Sequence, residues 1–77
     1  MERERTKEAA LAFIENGGHC IKRFGWAWKG GRTEPCSKEE ALRLLPKFDF
    51  GKGYYELVWR DRFQVLEFCE LSEADML

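Results

Sequence analysis

Apolar residues change their spacing along this chain, and each change marks the boundary of an element. Ala10, Leu11, Phe13 and Ile14 recur at the three- and four-residue intervals that make one stripe on an α-helix, so the spacing predicts a first helix from about Glu2 to Asn16. Asn16-Gly17-Gly18 then supplies residues that tolerate the positive φ of a helix end. From His19 to Lys29 the period becomes two. Cys20, Phe24, Trp26 and Trp28 alternate with Ile21, Arg23 and Ala27, which predicts a first strand. Gly25 inside it is expected to mark a bulge or a close approach of another backbone, and Gly30-Gly31 ends it in a loop through Arg32-Thr33-Glu34-Pro35.

A second helix is announced by a capping box. Ser37 is placed to accept from the Glu40 amide while the Glu40 carboxylate reaches back to the Ser37 amide; Ala41, Leu42, Leu44 and Leu45 follow as the apolar stripe. Pro46 disfavours helical geometry at Leu45 and limits the helix to two or three turns. Lys47 to Gly53 reads as a connector, with Phe48 and Phe50 tucked beneath the edge of the sheet. Tyr54 to Trp59 and Phe63 to Leu71 are rich in aromatic and β-branched residues and predict a hairpin. A three-residue loop, Arg60-Asp61-Arg62, opposes Trp59 to Phe63 and Leu57 to Val65, apolar to apolar. Residues 72 to 77 are an acidic tail, expected as one helical turn or a frayed end.

The predicted order is helix, strand, helix, strand, strand: one α+β domain over residues 1–77, with a three-stranded antiparallel sheet packed against two helices. With strand one in phase, one face of that sheet collects Phe24, Trp26, Trp28, Tyr55, Leu57, Trp59, Phe63 and Val65. The other collects Ile21, Ala27, Tyr54, Val58, Leu66 and Phe68. Two short helices cover one face only, so the other is expected to leave an apolar and aromatic patch in water, where it would meet a partner.

Composition narrows the function classes. The 77 residues are 44% hydrophobic and 35% charged, as in an ordinary globular domain. Thirteen Lys+Arg against 14 Asp+Glu leave a net charge of −1, so no global field attracts polyanions. Apolar runs are too short to span a bilayer and the start of the chain lacks a signal peptide's apolar segment; the expectation is a cytoplasmic protein without membrane contact. Cys20, Cys36 and Cys69 are odd in number and far apart, which argues for reduced thiols rather than a disulfide framework.

Candidate chemistry is sparse. The stretch Lys22-Arg23-Phe24-Gly25-Trp26-Ala27-Trp28-Lys29 interleaves cations with aromatics, as single-stranded nucleic-acid binders do. It departs from the RNP1 pattern at Arg23, where that pattern has glycine, and at Lys29, where it has an aromatic. The opposing reading makes the aromatics core and Lys22, Arg23, Lys29 and Arg32 a solvated rim. His19, Cys20, Cys36 and Cys69 would match zinc in number, but no Cys-x-x-Cys pair clamps an ion and neighbouring strand residues point apart. No nucleotide loop, nucleophile elbow or paired-carboxylate motif is present, and neither a cofactor nor an enzyme activity is expected. The acidic Glu67, Glu70, Glu73 and Asp75 read as a solvated charge run or as a surface for a basic groove on a partner.

The sequence therefore points to a non-enzymatic protein-binding module. Its site is expected on an aromatic sheet face of Phe24, Trp26, Trp28, Tyr55 and Trp59, which meets another protein or a second copy of itself. A small regulatory or inhibitory protein of the kind phages and mobile elements encode fits this picture. The alternative is single-stranded nucleic-acid binding through Lys22, Arg23, Lys29 and Arg32.

Overall fold

A computed structural model of the chain describes residues 3–76; Glu2, where the sequence places the start of the first helix, and Leu77 lie outside the described residues, as do the side chains of Ala27 and Met76. Helix α1 spans Lys7–Glu15. It begins later than its apolar spacing implies because Thr6 takes the cap position, its hydroxyl accepting from the Ala9 amide at 3.1 Å. Arg3 to Arg5 form an arm that precedes it. The helix ends as expected: Gly17 adopts φ +81°, and the Gly17 and Gly18 amides donate to the carbonyls of Ile14 and Phe13.

Strand β1 covers His19–Phe24 and stops at Gly25, whose φ of +86° turns the chain out of the sheet. The expected strand to Lys29 is thus corrected: Ala27–Lys29 form a 3-10 turn, and Trp26 and Trp28 leave the sheet with it. The chain returns as β2, Arg32–Cys36, which the sequence reads as a loop. A side chain at Gly31 would place its Cβ 2.5 Å from the Gly25 carbonyl oxygen, so this tight return requires glycine there. Pro35 hid the strand, yet an edge strand tolerates proline because one side of its backbone needs no partner.

Helix α2 spans Lys38–Leu44, and Ser37 Oγ accepts from the Glu40 amide at 3.2 Å. The Glu40 carboxylate does not close the capping box; it bonds Lys22 Nζ at 2.7 Å instead. A 3-10 turn, Leu45–Lys47, extends the helix through Pro46. Strands β3, Tyr55–Arg60, and β4, Val65–Glu70, form the expected hairpin. Its loop is longer than expected: Asp61–Phe63 make a 3-10 turn and Gln64 sits at φ 55°. Trp59 therefore pairs with Leu66 and Leu57 with Phe68, a shift of three positions from the expected register. An odd shift exchanges the two faces of a strand, so Leu66 and Phe68 join Leu57 while Val65 turns to the other side.

The sheet has four strands in the order β2-β1-β4-β3, not three, and it is mixed, not antiparallel: the two hairpins join through their inner strands, β1 and β4, which run parallel. The α+β class and the packing of two helices on one sheet stand. The core lies between the helices and one sheet face, where Ala10, Ile14, Ala41 and Leu45 meet Cys20, Leu57, Leu66 and Phe68. Phe48 tucks under the sheet edge as expected, edge to face with both Tyr55 and Phe68. The tail forms a 3-10 turn, Glu73–Met76, held by Ser72, whose amide and hydroxyl donate to Asp75 Oδ2 at 2.8 and 2.9 Å. No described helix is long and apolar enough to cross a membrane.

Candidate functional site

The five aromatic residues singled out from the sequence do not form one surface. Trp59 and Tyr55 face the helices. Trp59 packs edge to face on Phe13 with ring centroids 5.2 Å apart, and its Nε1 donates to the Glu4 carbonyl at 2.9 Å. Tyr55 lies against Phe48, with the Lys47 ammonium 4.2 Å from its ring centroid. Phe24 is half-buried at the end of β1 between Arg32 and Lys22. Trp26 is half-buried and donates from Nε1 to the Asp75 carbonyl at 2.8 Å. Trp28 is the exposed one, 76% open to solvent, with Lys29 stacked on its ring at 4.9 Å. The ring excess is absorbed by turns, by the chain's own cations and by the helix side of the sheet.

The basic residues of the same stretch are engaged as well. Lys22 and Arg23 point to opposite faces. Lys22 bonds Glu40 and lies 3.8 Å from Glu34, and the Glu40 bond pushes its ammonium pKa up against partial desolvation. Arg32 pairs with Glu34 at 3.4 Å. Arg23 bonds Glu67.

That last bond opens onto an arrangement the sequence reading missed. Alternation along the strands puts Ile21, Arg23, Thr33, Pro35, Val58, Arg60, Val65, Glu67 and Cys69 on the sheet face away from the helices, with His19 and Glu56 at the two ends of that face. At its centre Glu67 is 0% exposed. Arg23 Nε donates to Glu67 Oε1 at 2.9 Å, while Arg60 grips both oxygens, Nε to Oε1 at 3.3 Å and Nη2 to Oε2 at 3.0 Å. Both guanidinium groups sit one diagonal step from Glu67 on the neighbouring strands, within reach of a long side chain. Two guanidinium N–H groups thus meet Oε1 and one meets Oε2. Arg60 is less committed: its side chain is 43% exposed, and a terminal nitrogen can still donate outward to a carboxylate. Beside it lies a shallow cavity of about 460 Å³ lined by Ile21, Arg23, Thr33, Arg60, Phe63, Val65 and Glu67. Phe63, at the lip, is 70% exposed.

No protein-family model, no curated protein and no solved structure matches this chain.

The thiols are poor nucleophiles. Burial pushes Cys20 up to about 11, helped by Cys36, which faces it across β1 and β2. Burial also pushes Cys69 up to about 11, with the Glu67 and Glu56 carboxylates adding to it. Cys36 is raised by burial and by Glu40. Cys20 and His19 point to opposite faces, and Cys69 shares the face of His19, so the four candidate zinc ligands do not converge. Among the described residues no group of three His, Cys, Asp or Glu is placed to hold a metal ion. The C-terminal acids do not gather either: Glu67 is locked in its triad and Asp75 caps the tail turn, where its bonds from Ser72 hold its carboxyl below the usual range.

The signal for the triad was present. Glu67 is a lone charge in the run Val65-Leu66-Glu67-Phe68-Cys69, and a charge inside a central strand needs paired partners. Finding them required the adjacency of β1 and β4 and the true hairpin register.

Proposed function

We propose that the protein is a non-enzymatic binding module that engages another protein through the helix-free face of its sheet, in a regulatory or inhibitory role. The observation that carries this reading is the composition of that face: an exposed Phe63 and the apolar Ile21, Val58 and Val65 around a guanidinium pair that holds one buried carboxylate. Interfaces favour such a centre, aromatic and arginine together with little exposed negative charge. Because Glu67 is sealed beneath Arg23 and Arg60, the charge an approaching partner meets there is positive, and an acidic side chain set among apolar ones fits it. The sequence-based site of Phe24, Trp26, Trp28, Tyr55 and Trp59 gives way accordingly to the helix-free face. Nucleic-acid binding has weaker support, because Lys22, Arg23 and Arg32 already face carboxylates.

The test compares affinity capture by the wild type, Phe63→Ala, Arg60→Ala and Trp28→Ala, with sedimentation to detect self-association. Partners held by the wild type and by Trp28→Ala, but lost from the other two, support the reading. The same partners on all four baits would remove the sheet face from consideration. Capture that collapses steeply with added salt and brings down oligonucleotide would favour the nucleic-acid alternative.

A further inference from the structure

The arm that precedes α1 lies across a groove of about 750 Å³ between α1 and the β3–β4 turn, lined among others by Ala12, Phe13, Gly17, Trp59, Asp61 and Gln64. Arg3 and Glu4 of the arm form part of its lining. The Arg3 guanidinium carbon lies 4.7 Å from the Phe13 ring centroid and 5.3 Å from that of Trp59, in the corner the two rings make at 78° to each other. Nη2 donates to Gln64 Oε1 at 2.8 Å, and Nε lies 4.0 Å from Asp61 Oδ1. The acceptor is fixed in advance. Gln64 occupies a left-handed backbone position that residues with a Cβ rarely adopt, and its Nε2 donates to the Asp61 carbonyl at 2.9 Å, which aims Oε1 outward. Trp59 also reads the backbone next door through its bond to the Glu4 carbonyl. Two aromatic faces, an amide oxygen and a carboxylate together suit a planar, delocalised cation with several donors.

We propose that this groove is a receptor for an arginine side chain on an extended segment of another protein, and that the chain's own Arg3 is a built-in competitor for it. The proposal is independent of the sheet-face reading. The recognising side chains of Phe13, Trp59, Asp61 and Gln64 come from α1, β3 and the turn, none of them from the arm. The seat is shallow, with the Arg3 and Asp61 side chains 36% and 50% exposed, so its occupant can exchange. The groove continues past Arg3 along Asn16, Gly17 and Gly18, leaving room for residues that flank an incoming arginine.

The experiment uses the full chain, as wild type and Arg3→Ala, titrated with the blocked tripeptide acetyl-Gly-Arg-Gly-amide and with its lysine counterpart. The readout is the NMR signal of the Trp59 indole N–H, with the amide spectrum reporting the fold. Arg3→Ala is expected to bind the arginine peptide about tenfold tighter than the wild type, because removing the competitor frees the competent state. The lysine peptide should bind more weakly, and adding Asp61→Asn should weaken the arginine peptide further. A folded Arg3→Ala whose Trp59 signal ignores the arginine peptide, or responds equally to lysine, overturns the proposal. Equal binding by wild type and variant overturns the competitor role. Should Arg3→Ala fail to fold, Arg3→Lys replaces it, with a smaller gain expected and unchanged affinity counting against the proposal. A wild-type dimer that dissociates on Arg3→Ala in sedimentation would assign the groove to a second copy's arm and overturn the foreign partner.

Discussion

The two faces of the sheet solve the same problem by different means. On the covered face Leu57, Leu66 and Phe68 are buried by apolar residues of α1, α2 and the connector, so burial follows from hydrophobic area alone. On the open face Glu67, equally buried, is sealed by two arginines from the adjacent strands. Apolar packing tolerates small changes of shape, whereas an ion triad tolerates no missing member, because desolvation of the survivors is then uncompensated. The open face thus gains order from chemistry that also leaves donors and apolar surface for a partner.

The contrast can be broken most sharply on the covered face. Phe68→Ala should cost about 4 kcal/mol, read as the shift in urea midpoint, and in a domain this small that can unfold the chain. Next comes Glu67→Ala, expected to cost about 3 kcal/mol because Arg23 and Arg60 are left facing each other. Replacing the whole triad, as Arg23→Met, Glu67→Leu and Arg60→Met together, should instead be neutral or stabilising while abolishing capture of any sheet-face partner. If the triple variant is as unstable as Glu67→Ala, the triad is a net stabiliser and the open face does not differ from the covered one in the way proposed.

The thiols extend the comparison, since Cys20 lies on the covered face and Cys69 on the open one. Each thiol is raised from 9.0 to about 11 in the folded protein, so the unfolded chain loses its protons first as pH rises. Stability should be unaffected by these groups below about pH 8 and should fall as pH rises to about 11, by about 3 kcal/mol per thiol. Alkylation followed by peptide mass spectrometry separates the two: Glu67→Gln should bring the Cys69 reaction to lower pH and leave Cys20 unmoved. The smallest effect is expected at Trp28, which belongs to neither face. Trp28→Ala should change stability by less than about 0.5 kcal/mol in the same urea titration.

Local chemistry made much of this fold legible. The Asn16-Gly17-Gly18 stop and the Ser37 cap act within a few residues and stand in the structure, as do the apolar stripes of both helices except at Leu11 and Leu42, which face solvent. What escaped was set at a distance or hidden by one residue. Gly25 does meet another backbone closely, that of Gly31, as its place in the sequence suggests, but its positive φ ends the strand there instead of lying inside a longer one. Pro35 disguised β2, and the left-handed Gln64 lengthened the hairpin loop and reversed which side of β4 is which. The candidate site suffered most, because membership of a face depends on register, and an odd error in register relocates every residue of the strand. Interleaved cations and aromatics in residues 22–29 looked like a binding surface. They largely satisfy one another and nearby carboxylates, as Lys29 does on Trp28 and Lys22 with Glu40.

The parallel seam between β1 and β4 has a consequence for how the chain is made. Each hairpin can zip up from its own turn, but the junction that unites them brings His19 against Val65, so everything from β1 through β4 must leave the ribosome before the middle of the sheet can close. Until then the first hairpin carries an unpaired inner border, and β4, made after β3, is the strand that completes it.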